Sequence, residues 1–281
     1  PLEALKAQAI VARTFARACV GRHGYAGYDV CAGVHCQVYP GVAAERSTSD
    51  QAVCETAGRV LMAAGKVFPA YFHASCGGAT DAAAAVWGGP AQPGCAAGVW
   101  DSPTSPCLNL TAEGGVLGLL AGTVEFFCAA APDYRWSIQR TRGELERTFA
   151  RALPLLLGRR APLGELRDLI TGGRTSGGRL TLLVVEGSEG VYPVRGEEIR
   201  WLFGSGRAGE GGLPGRRFVV VPERDPLAPD GPPVAYRFVG TGNGHGVGLC
   251  QWGAMGMARR GERAEEILRH YFPGATLEVG E

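Results

Sequence analysis

The sequence PLEALKAQAIVARTFA (residues 1–16) decides the first element of the fold. Apolar residues stand at positions 2, 5, 9, 12 and 16, in steps of three or four that match the period of an α-helix. Pro1 stands where the first turn of a helix tolerates proline. Glu3, Lys6, Ile10 and Arg13 follow the same spacing on a neighbouring face. We therefore predict an amphipathic helix that carries a carboxylate in its first turn and ends near residue 21.

The composition limits the class of protein. The chain has 281 residues, enough for one large domain or two modest ones. Lys and Arg total 28 against 27 for Asp and Glu, a net charge of +1, so no global field favours nucleic acid or an anionic membrane. No nucleic-acid partner is therefore expected. The 44 glycines and 18 prolines favour turns and loops over a helical bundle.

Cysteine content and apolar runs bear on the cellular location. Nine cysteines are more than a reduced cytosolic enzyme usually carries, which favours the extracytoplasmic cell envelope. The longest uncharged stretch, 82–100, is broken by glycines and prolines and is not expected to span a membrane. Since the chain starts at a helix without Met, we expect the true N-terminus to lie upstream. Any signal or membrane anchor would belong to that missing part.

Sequence patterns along the chain predict an α+β protein. SDQAVCETA (residues 49–57) is typical of a capped helix, and the next apolar run predicts a β-hairpin that turns at Ala64 and Gly65. Residues 88–132 are low in charge and indicate a loop insertion. Strand and helix patterns then alternate, with LGELRDLI (residues 163–170) interpreted as a helix. We predict a main catalytic unit, 1–135 with 236–281, and a smaller α+β subdomain, 136–235, beside a cleft.

The segment HASC places His73 and Cys76 three residues apart on a predicted turn. With Cys31 and Cys36, which flank His35, they could supply a tetrahedral zinc shell. The alternatives are a small disulfide between Cys31 and Cys36 and a His73 that only forms hydrogen bonds.

The glycine run TGNGHGVGLCQWG (residues 241–253) does not satisfy the dinucleotide pattern GxGxxG, so no nucleotide cofactor is expected. His245 within it could be a base, a hydrogen-bond donor to a ligand or a cap for the next helix. Glu3 would ordinarily be a solvated acid favoured by the helix dipole. The five tryptophans suit sugar stacking as well as a core.

Six motifs, taken in order, resemble the stage II sporulation protein D family, also called SpoIID/LytB. They are EALKAQAIVARTFA, CAGVHCQVY, YFHASCGGAT, VWGG, GHGVGLCQWGAMGMARRG and EEILRHYFPG. The resemblance implies a lytic transglycosylase that cleaves peptide-free peptidoglycan glycan strands, in cell-wall remodelling or sporulation engulfment. It also implies that some members act with an amidase.

The same resemblance assigns roles to individual residues. It implies that Glu3 is the catalytic acid and that zinc is held by His73 and Cys76 with Cys36 or Cys31. The residues that it places in a substrate-binding cleft are Arg13, Gly77, Gly78, His245 and Gln251. We expect the opening helix and the glycine run to line one groove with the Glu3 carboxyl at its floor.

A lytic transglycosylase can use one carboxyl group, because the C6 hydroxyl of muramic acid replaces water as the nucleophile. Glu3 would give a proton to the glycosidic oxygen and then accept one from that hydroxyl, leaving a 1,6-anhydro product. For this its pKa must rise by roughly two units from about 4.3. We therefore predict that Lys6 points away from Glu3 or contacts substrate.

Two other functions stay open at this stage. The chain could be a non-catalytic wall-binding module that enhances an N-acetylmuramoyl-L-alanine amidase. It could also be a metallohydrolase in which zinc activates water.

Overall fold

The computed structural model describes residues 1–122, 124–206 and 212–279 and has the α+β fold predicted from the sequence. The helices of these residues are α1 (Leu2–Ala18), α2 (Ser47–Glu55), α3 (Ala83–Trp87), α4 (Glu113–Ala121), α5 (Arg142–Leu157), α6 (Glu198–Leu202), α7 (Gln251–Arg259) and α8 (Ala264–Tyr271). The strands are β1 (Arg59–Ala63), β2 (Lys66–Val67), β3 (Phe72–His73), β4 (Arg135–Thr141), β5 (Leu166–Arg174), β6 (Leu180–Gly187), β7 (Val191–Arg195), β8 (Phe218–Glu223), β9 (Ala235–Thr241), β10 (Leu249–Cys250) and β11 (Thr276–Val279).

Backbone contacts divide the chain into two units. Unit 1 is Pro1–Ser105, Glu125–Ala131 and Gly246–Glu281, and unit 2 is Pro106–Val124 and Pro132–His245. Residues 106–124, 132–135 and 236–245, which were predicted to belong to the main unit, lie in unit 2. Residue 123 of the predicted insertion, 207–211 of the predicted subdomain and 280–281 of the predicted main unit lie outside the described residues.

Unit 1 combines helices with two small sheets. Strand β1 pairs antiparallel with β11 on one side and β2 on the other, and β3 pairs in parallel with β10. The predicted hairpin is confirmed: Ala64 and Gly65 have φ of 51° and 71°, the left-handed pair that a tight two-residue hairpin turn requires. The parallel β3–β10 pair brings the HASC segment beside the end of the glycine run.

Helix α1 forms as predicted, but its buried face is not the predicted stripe. The stripe at positions 2, 5, 9, 12 and 16 is only half-buried. The buried residues of α1 are Ala4, Ala7, Ile10, Val11, Thr14 and Phe15. The larger side chains of Ile10, Val11 and Phe15 gain more from leaving water than the alanines of the predicted stripe do. Phe15 packs with Cys19 and Cys36 in a small core.

Polar side chains also attach α1 to its neighbours in unit 1. The Arg13 guanidinium donates to the carbonyl oxygens of Thr56 at 2.7 Å and Arg59 at 2.9 Å, between α2 and β1. The Thr14 hydroxyl accepts the N–H of Leu61 at 2.9 Å within β1. These contacts satisfy backbone groups where α2 ends and β1 begins.

Unit 2 is built on two three-stranded antiparallel sheets, ordered β4-β9-β8 and β5-β6-β7. Helix α5 starts with a capping box, in which Thr141 and Glu144 each satisfy the other's backbone N–H. The predicted helix over 163–170 is wrong, because Leu166–Arg174 forms strand β5. Leucines at 163, 166 and 169 have helix-like spacing, but pairing with β6 decides the conformation.

In the part of the chain that the structure describes, none of the helices has the length and apolar character needed to cross a bilayer.

The two faces of α1 can be compared by mutation. We expect Phe15→Ala to lower the free energy of unfolding by about 3–5 kcal/mol, because it leaves a cavity in a closed core. Leu5→Ala, on the predicted stripe, should cost much less because Leu5 is only half-buried. Urea denaturation of both variants checks this, and equal losses would contradict the buried face described above.

Candidate functional site

A groove lies between the start of α1 and the β10–α7 segment, within unit 1. Its volume is about 330 Å³. We call it the α1–α7 groove, and it is lined by Pro1, Ala4, Leu5, Gln8, Leu249, Gln251, Trp252, Ala254 and Met255. The sequence predicted that the opening helix and the glycine run line one groove. From the run, residues 241–253, the groove is lined by Leu249, Gln251 and Trp252, whereas Ala254 and Met255 follow it in α7.

The polar groups of the α1–α7 groove are two carboxamides. Gln251 Nε2 donates to Gln8 Oε1 at 3.2 Å, which joins the first turn of α7 to α1. Each amide carries both donors and an acceptor, so the pair can also bond hydroxyl or acetamido groups of a ligand. The half-buried Trp252 adds an indole, a flat apolar ring with one N–H donor. An indole beside two amides can bind an uncharged sugar.

Glu3 is engaged in contacts within unit 1. Its Oε1 lies 2.8 Å from Lys6 Nζ, and its Oε2 accepts the N–H of Ala264, the first residue of α8, at 2.8 Å. Lys6 also lies 2.7 Å from Glu55 Oε2, at the end of α2. Of the two alternatives predicted for Lys6, pointing away from Glu3 is therefore wrong, and contact with substrate stays a prediction. One ammonium group bridges two carboxylates, and one of those carboxylates caps a helix.

The expected rise in the pKa of Glu3 is wrong in sign. The hydrogen bond from Lys6, and after it the N–H of Ala264, holds the pKa of the Glu3 carboxyl below its ordinary value and outweighs partial burial. The start of α8 also favours a negative charge through the helix dipole. Glu3 is therefore ionised near neutral pH, whereas a general acid must be protonated.

Glu3 also lies away from the α1–α7 groove. Ala4, Leu5 and Gln8 have the three- and four-residue spacing of one helix face. At 100° per residue, Glu3 is displaced from the centre of that face by roughly 150°. Among the described residues that line the groove, none is Asp or Glu.

The other predicted cleft residues lie at different places in the structure. Gln251 lines the α1–α7 groove, whereas the Arg13 guanidinium donates hydrogen bonds to the backbone carbonyls of Thr56 and Arg59. Gly77 and Gly78 form a turn with φ of 71° and 121° around Cys76, which only glycine adopts readily. His245 belongs to unit 2 and is half-buried.

The four predicted metal ligands do not come together. Cys31 and Cys36 join His23 and His35 in one group, which we call the loop cluster. Cys76 belongs to a second group, the buried cluster, which consists of Cys76, Asp101, Cys128 and Cys250. His73 is in neither group, and its Nδ1 lies 3.2 Å from the carbonyl oxygen of Val247.

The loop cluster has the composition of a zinc site. His23 Nε2 lies 3.2 Å from Cys36 Sγ, and His35 Nδ1 lies 3.4 Å from Cys36 Sγ and 3.9 Å from Cys31 Sγ. The pKa of Cys31 is lowered by the backbone N–H of Gly33, and that of His35 is lowered by burial. Both shifts favour the forms that bind metal, thiolate and neutral imidazole, whereas burial raises the pKa of Cys36. Two imidazoles and two thiols match a Cys₂His₂ set.

Sequence reasoning missed His23, Gln8 and the partners of Cys76. His23 precedes Cys31 by eight residues with no recognisable motif between them. Asp101, Cys128 and Cys250 lie far apart in the chain and are brought together by the fold. Gln8 belongs to the same motif as Glu3, five residues further along α1, and only the helix geometry assigns it to another face.

Two family models match the chain. The model described as stage II sporulation protein, SpoIID, matches residues 1–62, and the model described as a domain of unknown function, DUF8618, matches residues 82–248. The SpoIID match confirms the resemblance inferred from the motifs.

Two curated proteins are similar to nearly the whole chain. An uncharacterized protein of Brachyspira hyodysenteriae is 26% identical over 278 residues, which is 99% of this chain and 61% of that protein. A protein of Bacillus subtilis named amidase enhancer is 26% identical over 295 residues, which is 98% of this chain and 38% of that protein. The chain thus spans less than two thirds of the length of either relative.

Replacing Lys6 tests the electrostatics of Glu3. In Lys6→Met we expect the pKa of Glu3 to rise, because its largest lowering contact is removed. A carboxyl with a lowered pKa stabilises the fold above its unfolded-state pKa and loses this contribution as pH falls through its folded-state pKa. In the variant, the free energy of unfolding should therefore fall less steeply as the pH is lowered into the acid range. Carboxyl ¹³C NMR titration measures the pKa, and Lys66→Met on the exposed β2 is the control. An unchanged titration of Glu3 in Lys6→Met would contradict the assignment.

Proposed function

Since this chain belongs to the SpoIID family through residues 1–62 and to the DUF8618 family through residues 82–248, we propose that it binds peptidoglycan glycan strands. The α1–α7 groove is the proposed site, and support of a cell-wall amidase is the proposed role. The chain would then work outside the cytoplasm, in remodelling of the cell wall.

The observation that carries this proposal is the chemistry of the α1–α7 groove. Sugar rings present apolar C–H faces and uncharged hydroxyl and acetamido groups. Trp252 can stack on such a face, while Gln8 and Gln251 can exchange their mutual hydrogen bond for bonds to the ligand. A volume of about 330 Å³ lies at the lower end of the range for ligand sites and suits a short stretch of glycan.

The absence of acidic side chains among the described groove residues favours binding without cleavage at this site. Glycosidic cleavage needs an acid beside the scissile oxygen. The relative named amidase enhancer supports a role in which the chain assists another enzyme. A module that holds glycan strands could do so by keeping an N-acetylmuramoyl-L-alanine amidase near its substrate.

Lytic transglycosylase activity through Glu3 is the second candidate. It is supported by the position of Glu3 within the SpoIID match and by its 32% exposed side chain, which a strand outside the groove can reach. The reaction requires Glu3 to lose Lys6, and Lys6 can keep its contact with Glu55 when it does so. Glu3 would then protonate the glycosidic oxygen and accept the proton of the C6 hydroxyl, which gives the 1,6-anhydro product.

We also propose zinc at the loop cluster. His23, Cys31, His35 and Cys36 would supply all four ligands of a closed site, and such sites hold structure. A bound ion would fasten the loop after α1, where Cys36 packs against Phe15. With four protein ligands, no position is left for a water nucleophile, so this site does not favour the metallohydrolase alternative.

The groove proposal predicts a selective loss of glycan binding. Trp252→Ala should weaken binding of peptide-free glycan strands roughly tenfold, about 1.4 kcal/mol, because it removes the stacking surface. Trp87→Ala is the control, since Trp87 lies in the same unit, is 43% exposed and is outside the groove. Isothermal titration with purified strands measures both affinities. Equal affinities for wild type and Trp252→Ala would exclude the groove as the site.

A second experiment separates the two candidate functions. Under the proposed role, Glu3→Gln leaves strand binding intact, and digests of peptide-free glycan contain no new 1,6-anhydro ends by mass spectrometry. The chain should also increase stem-peptide release by a purified amidase, and Trp252→Ala should reduce this increase. Anhydro ends produced by wild type and lost in Glu3→Gln would instead establish the transglycosylase.

A further inference from the structure

The buried cluster is a second group of metal-ligating side chains in unit 1. Its four donor atoms, from Cys76, Asp101, Cys128 and Cys250, all lie within 4.8 Å of one another. All four residues have 0% solvent exposure. They come from four separate parts of the chain, so the fold itself creates the cluster.

The distances within the buried cluster fit ligands of one shared ion. Cys76 Sγ lies 3.6 Å from Cys128 Sγ and 3.1 Å from Asp101 Oδ2. Two sulfur ligands at about 2.3 Å from a tetrahedral zinc ion are separated by about 3.8 Å. A disulfide would require about 2.05 Å between the sulfurs. The observed Sγ–Sγ separation is close to the edge of a metal tetrahedron.

Backbone N–H groups point at two of the sulfur atoms. Cys250 Sγ accepts from the N–H of Cys76 at 3.1 Å and of Gly253 at 3.3 Å, and Cys76 Sγ accepts from Gly78 N–H at 3.3 Å. Cys250 is also the N-cap of α7, where the helix dipole favours negative charge. Burial raises the pKa of both thiols, and these N–H groups are the outer-shell donors that two metal-bound thiolates would keep.

The carboxylate of Asp101 is held in position in the same way. Its Oδ2 accepts the N–H of Cys128 at 3.1 Å, and its Oδ1 accepts the hydroxyl of Tyr271. These contacts orient the carboxylate as outer-shell hydrogen bonds do in metal sites. These donors are neutral, and burial raises the pKa of the Asp101 carboxyl well above its ordinary value, so a cation would have to be present for the buried group to be a carboxylate.

We propose that the buried cluster is a structural zinc site with Cys76, Cys128, Cys250 and Asp101 as its ligands. Thiolates are soft ligands that select zinc over magnesium or calcium. Convergence of all four donors within 4.8 Å fits a single ion better than a multinuclear cluster. Binding displaces the ligand protons to solvent, and with four protein ligands the ion is closed to water. This site is separate from glycan binding and stands whether or not the proposed function holds.

The zinc would fasten the segments that carry the predicted site motifs. It would join the HASCGG turn, through Cys76, to the N-terminus of α7, through Cys250. Helix α7 supplies Gln251 and Trp252 to the α1–α7 groove. The ion would therefore fix one wall of the groove without contacting a ligand in it.

Metal analysis of the purified full chain tests the proposal. We expect Cys128→Ser and Asp101→Asn each to hold one zinc fewer per chain than wild type by inductively coupled plasma mass spectrometry. Cys54→Ser and Cys107→Ser, at exposed cysteines, should hold the wild-type amount. The same zinc content in wild type and in both cluster variants would overturn the site.

A second measurement tests the site without substituting its ligands, in case the cluster variants do not fold. In a Cys31→Ser/Cys36→Ser chain, which keeps the buried cluster intact, exchange with Co²⁺ should give a thiolate-to-metal charge-transfer band. Absence of that band in the folded protein overturns the proposal. So does a Cys76–Cys128 disulfide found by alkylation and mass spectrometry of the freshly purified, non-reduced wild type.

Discussion

Three charged side chains of α1 hold unit 1 together, and this constraint limits which face of the helix is open to a ligand. Arg13 binds backbone carbonyls between α2 and β1, Lys6 bridges Glu3 and Glu55, and Glu3 caps α8. Each contact satisfies a backbone group or a charge that would otherwise be exposed to water or left without a partner. The face of α1 that remains for a ligand carries Ala4, Leu5 and Gln8.

How much the sequence predicts depends on whether the deciding contacts are local. The hairpin at Ala64 and Gly65 and the first helix follow from short-range rules, and both are present. Leucines three residues apart predict a helix over 163–170, but pairing with β6 makes Leu166–Arg174 strand β5. The buried face of α1 was misjudged because alanines count as apolar in a pattern, although Phe15 and Val11 have more surface to bury.

The cysteines illustrate the same limit for the candidate sites. The nearest pairs in sequence suggested one site made of Cys31, Cys36, His73 and Cys76. The fold instead separates them into two clusters, because the parallel pairing of β3 with β10 places Cys76 beside Cys250. Spacing along the chain could reveal the loop cluster, since its four residues lie within 14 positions. The buried cluster depends on contacts between distant parts of the chain, so spacing along the sequence does not predict it.

The geometry of α1 also decides how binding and cleavage relate to each other. A helix is about 10 Å wide, and Glu3 lies roughly 150° round it from the α1–α7 groove. A sugar seated in the groove therefore contacts a different face of α1 from the one that carries Glu3, and protonation by Glu3 would need a strand that passes over α1 where α8 begins. The proposed binding and the proposed cleavage would thus involve different surfaces of α1. Trp252 of α7 lines the groove beside one surface and Glu3 lies on the other, so substitutions at these two residues should affect the two proposed activities separately.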